Sequence, residues 1–327
     1  MVAQSLLLLA LLAILAAGCA RGSAAGARRL RVGFFPNVTH AVALVGLESG
    51  CFKRHLAPGV RLDARPFAAG TELVTAIAAG EIDLAYLGPG PAITGYVAGV
   101  PIRVLAGAAD GGSVLVSRYD VAIESPAALS GRRISVPAYG NTQDVLLRSV
   151  LRQAGLRDTT RGGSVEVVRV ESADVRLLFE QKQLDAAMLP EPWAARVEAE
   201  TGARVVLDWR EVWRGGRYPS TLLVATDNLL RGRPQTAAAW LKAHRETVAW
   251  IRTHPEEARQ VIDTALFHHT RKRLPPGVLE RALSRMAVSD ELRGDPPVVL
   301  AEFAELMRDA GYLRGSRSLN GLLRPWR

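Results

Sequence analysis

Cysteine is nearly absent from this chain, whose 327 residues include only Cys19 and Cys51. A framework of several disulfides is excluded, and the fold must hold by packing. Lysine is scarce as well, found only at 53, 182, 242 and 272, although Lys and Arg together number 41 against 32 Asp and Glu and leave a net charge of +9. Such a basic balance invites a nucleic-acid reading. The arginines, however, are scattered among Ala and Leu, and with aromatics at 6% there is no basic patch interleaved with stacking rings. The charge reads instead as a surface bias that attracts anions. Catalytic signatures are missing too: there is no Gly-x-Ser-x-Gly nucleophile turn, no Gly-x-x-x-x-Gly-Lys-Ser/Thr phosphate loop and no His-Glu-x-x-His zinc pair. His244, His254, His268 and His269 fall in a helical C-terminal region among charged neighbours and read as structural or solvated. No metal and no cofactor is implied, and the chain does not read as an enzyme.

What is present begins at the N-terminus. Residues 6–17 form an apolar run of signal-peptide length, too short to span a bilayer, so export is expected. The run ends in Leu15-Ala16-Ala17-Gly18-Cys19, which resembles a bacterial lipobox whose Cys is lipidated and becomes the new N-terminus. Cys19 is therefore expected to anchor the protein to the cell membrane, facing outward. Ordinary cleavage near Ser23-Ala24-Ala25 is the alternative and would leave it periplasmic. With Cys19 lipidated, Cys51 has no disulfide partner and reads as a small buried apolar residue. Residues 20–29 read as a tether.

At 48% hydrophobic residues the chain can bury a core, and its length favours two domains. A 102-residue echo says how they are built. Glu81-Ile82-Asp83-Leu84-Ala85 returns as Gln183-Leu184-Asp185-Ala186-Ala187, and the same offset lays Arg31-Val32-Gly33-Phe34 on Arg133-Ile134-Ser135-Val136. That spacing is too long for a solenoid and fits one α/β unit made twice. Strands are expected at 30–35, 61–67, 82–87 and 102–108, then at 133–136, 165–170 and 184–189, with helices of about ten residues between them, hence parallel sheets. Gly88-Pro89-Gly90-Pro91 is expected as a loop that ends a strand and hands over to a helix. Asp83 and Asp185, inside equivalent strands, read as scaffold. From residue 233 onward the chain is mostly helical, with periodic apolar patterns over 236–252, 255–267, 277–287 and 298–310.

Ligands of open α/β sheets sit beyond the carboxyl ends of strands, where loops feed helix N-termini. Loops at 37–39, 69–71, 88–91, 140–143 and 190–193 all follow expected strands. Two lobes facing one another would oppose helix N-termini whose free N–H groups favour an anion. His40 has no partner that this topology places near it, and no Lys falls in any of these loops.

The segments 31–41, 80–89, Gly140-Asn141-Thr142-Gln143-Asp144-Val145 and Pro190-Glu191-Pro192-Trp193-Ala194 resemble the nitrate/sulfonate/taurine class of ABC-transporter substrate-binding proteins, from about residue 30 to 315. The resemblance implies a two-lobed type II periplasmic-binding fold, each lobe a mainly parallel sheet flanked by helices. Lobe 1 would comprise 30–116 plus 222–327 and lobe 2 residues 117–221, with hinge crossovers near 113–117 and 220–225 and the helical tail packed on lobe 1. It further implies that Asn37, Thr39, His40, Gly70, Thr71, Gly88 and Pro89 line one wall of the cleft. Asn141, Thr142, Gln143, Glu191 and Trp193 would line the other, with Ser113 at a crossover. The expected ligand is a small organic anion of the aliphatic sulfonate or taurine kind, delivered by a monomer to permease and ATPase subunits. Glu191, pointing inward, would repel an anion lacking an amine. Nitrate or a pyrimidine vitamin precursor are the alternative ligands, and a pyrimidine synthase-like enzyme the alternative class.

Overall fold

The computed structural model describes residues 28–292, 296–314 and 318–323. Cys19, the signal segment and most of the tether lie outside them. Along the chain run β1 (Arg28–Phe34), β2 (Val60–Pro66), β3 (Leu84–Leu87), β4 (Ile102–Gly111), β5 (Ser113–Ser117), β6 (Arg133–Val136), β7 (Glu166–Arg169), β8 (Ala186–Pro190), β9 (Arg204–Leu207), β10 (Pro219–Thr226) and β11 (Met286–Val288). They form two sheets, ordered β11-β4-β10-β3-β1-β2 and β9-β5-β8-β6-β7. In direction each is mainly parallel, but each holds one reversed strand in its interior. β10 runs antiparallel between β3 and β4, and β5 antiparallel between β8 and β9.

Those two reversed strands are the crossovers. β4 passes into β5 through Gly111 and Gly112, both at positive φ, where a side chain would be strained. The sheets therefore divide the chain a few residues from the expected boundaries. β5, expected near the end of lobe 1, lies wholly in the second sheet, and the crossover expected at 220–225 is a strand of the first.

The echo is a copy in three dimensions. Val32 pairs with Leu84 and Gly33 with Ala85, while Ile134 pairs with Ala186 and Ser135 with Ala187. Each register is the other shifted by 102. Asp83 accepts a hydrogen bond from the Arg31 N–H at 2.9 Å, and Asp185 accepts from the Arg133 N–H at 2.9 Å. Each carboxylate thus satisfies a strand donor that the sheet leaves open, which is the scaffold role expected of it.

Gly88-Pro89-Gly90-Pro91 is not a loop. The helix Pro89–Val97 starts inside it, with Gly88 as N-cap and Pro89 in the first turn. There the fixed φ of Pro suits a helix and its missing N–H costs nothing, because first-turn donors have no intrahelical partner. The C-terminal pattern expected as one helix over 277–287 splits into a helix Val278–Ser284 and the edge strand β11.

The tail packs on both lobes, not on lobe 1 alone. Helices Pro234–Thr253 and Pro255–Thr270 cover Ala41–Glu48 of the first lobe. Pro296–Asp309 lies against Pro89–Val97 of the first lobe and Thr142–Gln153 of the second, and Val278–Ser284 lies against Trp193–Thr201 of the second. One apolar cluster runs from Leu87 and Ile93 through Leu300, Phe303 and Met307 to Ile134 and Leu146, all fully buried. At roughly 1.5–3 kcal/mol per buried large side chain, Phe303 and Met307 are a substantial bond between lobes.

Candidate functional site

A cavity of about 290 Å³ opens where the carboxyl ends of the parallel strands of the two sheets face each other. Its first wall is the chain leaving β1 (Phe35 to His40), β2 (Phe67 to Gly70) and β3 (Gly88). Its second is the chain leaving β6 (Pro137 to Gln143), β7 (Arg169 to Ala173) and β8 (Pro190, Trp193). Helices begin at Gly70 and Pro89 on one side and at Thr142 and Trp193 on the other, so helix N-termini from both lobes converge on it. Their free N–H groups and positive dipole ends make the setting anion-friendly. At the base the lobes touch. A Cβ on Gly88 would meet Thr142 Oγ1 at 2.6 Å, and one on Gly90 would meet the Gly140 carbonyl oxygen at 2.8 Å.

The polar side chains of the first wall are held by their own segment. Thr39 Oγ1 donates to Asn37 Oδ1 at 2.7 Å. His40 is buried, and its Nδ1 accepts from the Phe35 backbone N–H at 3.3 Å. The proton of the neutral ring therefore sits on Nε2. Burial alone drives the His40 pKa down to about 3, so the imidazole is a neutral donor throughout the physiological range. On the second wall, Asn141 caps its helix by accepting from the Asp144 N–H at 2.9 Å. Gln143 Nε2 donates to Ser113 Oγ at 3.1 Å.

Asn37, Thr39, His40, Gly70 and Gly88 line the first wall, and Asn141, Thr142, Gln143 and Trp193 the second. Four residues expected beside them do not. Thr71 is exposed to solvent on the helix that Gly70 opens. Pro89 is buried in a first turn, and it is Pro91, two residues further along the helix, that reaches the cavity. Ser113 lies behind the wall and holds Gln143. Glu191 points away from the cavity: its carboxylate accepts from the Ala195 N–H at 3.0 Å and pairs with Arg285 at 3.1 Å. Burial pushes the Glu191 pKa up to about 7, against the pull of Ala195 and Arg285. It presents no charge to a ligand, so the repulsion expected of it does not arise.

The charges that do reach the cavity are Arg169, Glu171 and Lys272. None was foreseen, and Lys272 corrects the expectation that no lysine falls in the cleft. Arg169 and Glu171 stand at the end of β7, the counterpart of the β2 exit already marked as a wall, so the repeat carried a signal for them. Lys272, just after the helix Pro255–Thr270, belongs to the tail, which has no counterpart. Arg169 and Lys272 have no ion-pair partner among the described residues, and both are exposed. Phe35, Phe67, Pro91 and Trp193 supply apolar surface between these charges.

Residues 23–266 match the model of the NMT1-like family. The chain belongs to this family. It is 27% identical over 186 residues to the taurine-binding periplasmic protein of Escherichia coli, covering 57% of this chain and 56% of that protein. It is 25% identical over 239 residues to a Brucella abortus protein whose name records binding but no ligand, covering 73% and 71%. Its fold is similar to that of the alkanesulfonate-binding protein SsuA from Xanthomonas axonopodis pv. citri, solved bound to MOPS. The TM-score is 0.76, identity 19%, and coverage 92% of this chain and 99% of that one. This member of the NMT1-like family is thus of the nitrate, sulfonate and taurine class of ABC-transporter substrate-binding proteins, with the two-lobed type II fold. The Escherichia coli taurine-binding relative is a periplasmic protein, which agrees with the export expected from residues 6–17.

Proposed function

We propose that this solute-binding component of an ABC importer captures an aliphatic sulfonate between its two lobes. The observation that carries the reading is the pair of cations without an ion-pair partner among the described residues, Arg169 from the second lobe and Lys272 from the tail, facing one cavity that also offers Phe35, Phe67, Pro91 and Trp193 as apolar surface. Each exposed cation contributes roughly 1 kcal/mol after screening, and the helix N-termini add to them, so the cavity favours an anion. The alkyl part would lie on Phe35, Phe67 and Trp193. Nitrate would leave that surface uncovered, which disfavours it. Taurine adds an ammonium, and Glu171 is the one carboxylate on the wall able to receive it.

Closure over the ligand would be what the permease recognises, since a ligand touching both walls stabilises the form in which they meet. The chain would act as a monomer, held at the membrane through lipid on Cys19. Loss of acyl labelling in Cys19→Ser is the outcome expected of that anchor, and persistent labelling would dismiss it. Among the described residues no helix is long and apolar enough to cross a membrane. Catalysis is disfavoured because His40 is neutral and its Nδ1 is taken by a backbone N–H. Turnover of a bound compound, abolished by His40→Ala, would reverse that judgement.

The deciding experiment is a thermal-shift panel of taurine, alkanesulfonates, nitrate, phosphonates and pyrimidines. A ligand at a hundred times its dissociation constant adds about 2.7 kcal/mol to stability. Alkanesulfonates should give the largest shift. A response to nitrate or pyrimidines with none to sulfonates would sink the proposal. Glu171→Gln should weaken taurine selectively if the ammonium is read there.

A further inference from the structure

Cys51 and His55 lie one turn apart on the short helix Cys51–His55 and share a face with Glu246 of the tail helix Pro234–Thr253. One ligand atom from each of the three lies within 4.8 Å of the other two. None of them lines the ligand cavity. The two helices are already joined by Phe52 stacked on Trp240 at 4.0 Å.

The hydrogen bonding at His55 is the informative part. Its Nδ1 lies 3.0 Å from the Cys51 carbonyl oxygen, and a carbonyl only accepts, so Nδ1 carries a proton. The other ring nitrogen, Nε2, faces Glu246 Oε2 at 2.8 Å. A neutral ring would set a lone pair against a carboxylate. In this tautomer Nε2 offers its lone pair on the side where the Glu246 carboxylate lies, and a metal ion taken up between the two atoms would part them from 2.8 Å to about 3.3 Å. An imidazole fixed through Nδ1–H to a backbone carbonyl is also the arrangement by which metal-ligating histidines are oriented. The Cys51 thiol completes the set, its own present contact being a long one to the Ala243 carbonyl at 3.9 Å.

We propose that Cys51, His55 and Glu246 form a binding site for a zinc-class divalent cation that ties the short helix to the tail. One thiolate, one imidazole and one carboxylate suit a borderline-soft ion in tetrahedral geometry, with water in the fourth place. Ligand atoms about 2.0–2.3 Å from such an ion stand about 3.3–3.8 Å apart, within reach of small side-chain adjustments here. Lys242, 3.9 Å from Glu246 Oε1, is the charged neighbour the ion would displace.

The test uses the full chain carrying Cys19→Ser, so that Cys51 is its sole thiol. After stripping with chelator, Zn2+ is titrated in competition with a chromogenic chelator, and Co2+ is added separately for its absorption spectrum. One Zn2+ per chain is expected, with a thiolate-to-Co2+ charge-transfer band. Adding Cys51→Ser or His55→Ala should weaken Zn2+ binding at least about tenfold, and Glu246→Gln by a smaller factor. Cys51→Ser should also abolish the band, and His268→Ala should change nothing. Absence of one-to-one binding, a Co2+ adduct without the thiolate band, or Zn2+ affinity unmoved by Cys51→Ser and His55→Ala would each overturn the site. The Co2+ spectrum decides the matter even if a variant folds poorly.

Discussion

The two lobes share a scaffold and differ at the rims. β1 and β3 of the first pair in the same register as β6 and β8 of the second, and Asp83 and Asp185 accept the same strand N–H at the same distance. Even the incoming crossover strand is received alike. The Thr226 N–H donates to the Asp83 carbonyl oxygen and the Arg118 N–H to that of Asp185. Beyond the strand ends the likeness stops. Where the first lobe opens a helix with Gly88 and Pro89, the second turns Glu191 away from the cavity to Arg285 and presents Trp193. Where the first lobe leaves β2 through Phe67, Ala68 and Ala69, the second leaves β7 through Arg169 and Glu171. One build, used twice, thus supplies a wall without charged side chains and a charged one.

Crowding the contact where the lobes meet should break this relation most strongly. Gly90→Val pushes carbon atoms onto the Gly140 carbonyl and Asn141, which are backbone and cannot swing aside. Ligand affinity should fall at least about a hundredfold, near 3 kcal/mol, with circular dichroism unchanged. Calorimetric titration checks it, and unchanged affinity would mean that closure does not use this contact.

The paired aspartates offer a sharper comparison. Asp83 is the more buried and carries ion pairs to Arg31 at 2.7 Å and Arg233 at 3.1 Å, while among the described residues Asp185 pairs with Arg118 alone, at 3.7 Å. Asp83→Ala should cost about 2–3 kcal/mol in chemical denaturation and Asp185→Ala about 1 kcal/mol. Equal costs would show that the ion pairs contribute little beyond the shared N–H bond.

Glu191 gives the pH dependence. Because burial raises its folded pKa to about 7 from 4.5, the native state binds this proton more tightly than the unfolded chain. Its contribution is fully present below about pH 4.5 and is lost as pH rises through 7. Glu191→Gln removes that dependence. Its melting temperature relative to wild type should improve between pH 5 and pH 8, by the equivalent of about 1–3 kcal/mol. A constant difference across that range would contradict the assignment.

Smallest is the effect of each cavity cation. Arg169→Ala and Lys272→Ala should each weaken sulfonate binding about five- to tenfold, roughly 1 kcal/mol, since both are exposed and screened by water. The loss should shrink at high salt.

Much of the scaffold was legible because it repeats: the strands at 30–35 and 133–136 and the role of the aspartates followed from one offset. The walls were partly legible, since helix starts at Thr142 and Trp193 carry local signals. Gly88-Pro89-Gly90-Pro91 misled because the residues that break a helix interior also begin one. Glu191 was misplaced because sequence does not say on which side of a strand end a side chain turns. Lys272 and the double packing of the tail depend on contacts between segments far apart in the chain, which no local pattern records.

The exchanged strands also set an order of assembly. All five strands of the second sheet lie between residues 113 and 207, so that sheet is complete in an uninterrupted stretch of chain. The first sheet has a gap between β3 and β4 until β10 is supplied, and its edge waits for β11 near residue 288. As the chain emerges from a ribosome or a membrane channel, the lobe that starts second is the first able to finish. A fragment ending at residue 112 would carry an unfilled slot in the middle of its sheet, and the first lobe is inherited only as a whole molecule.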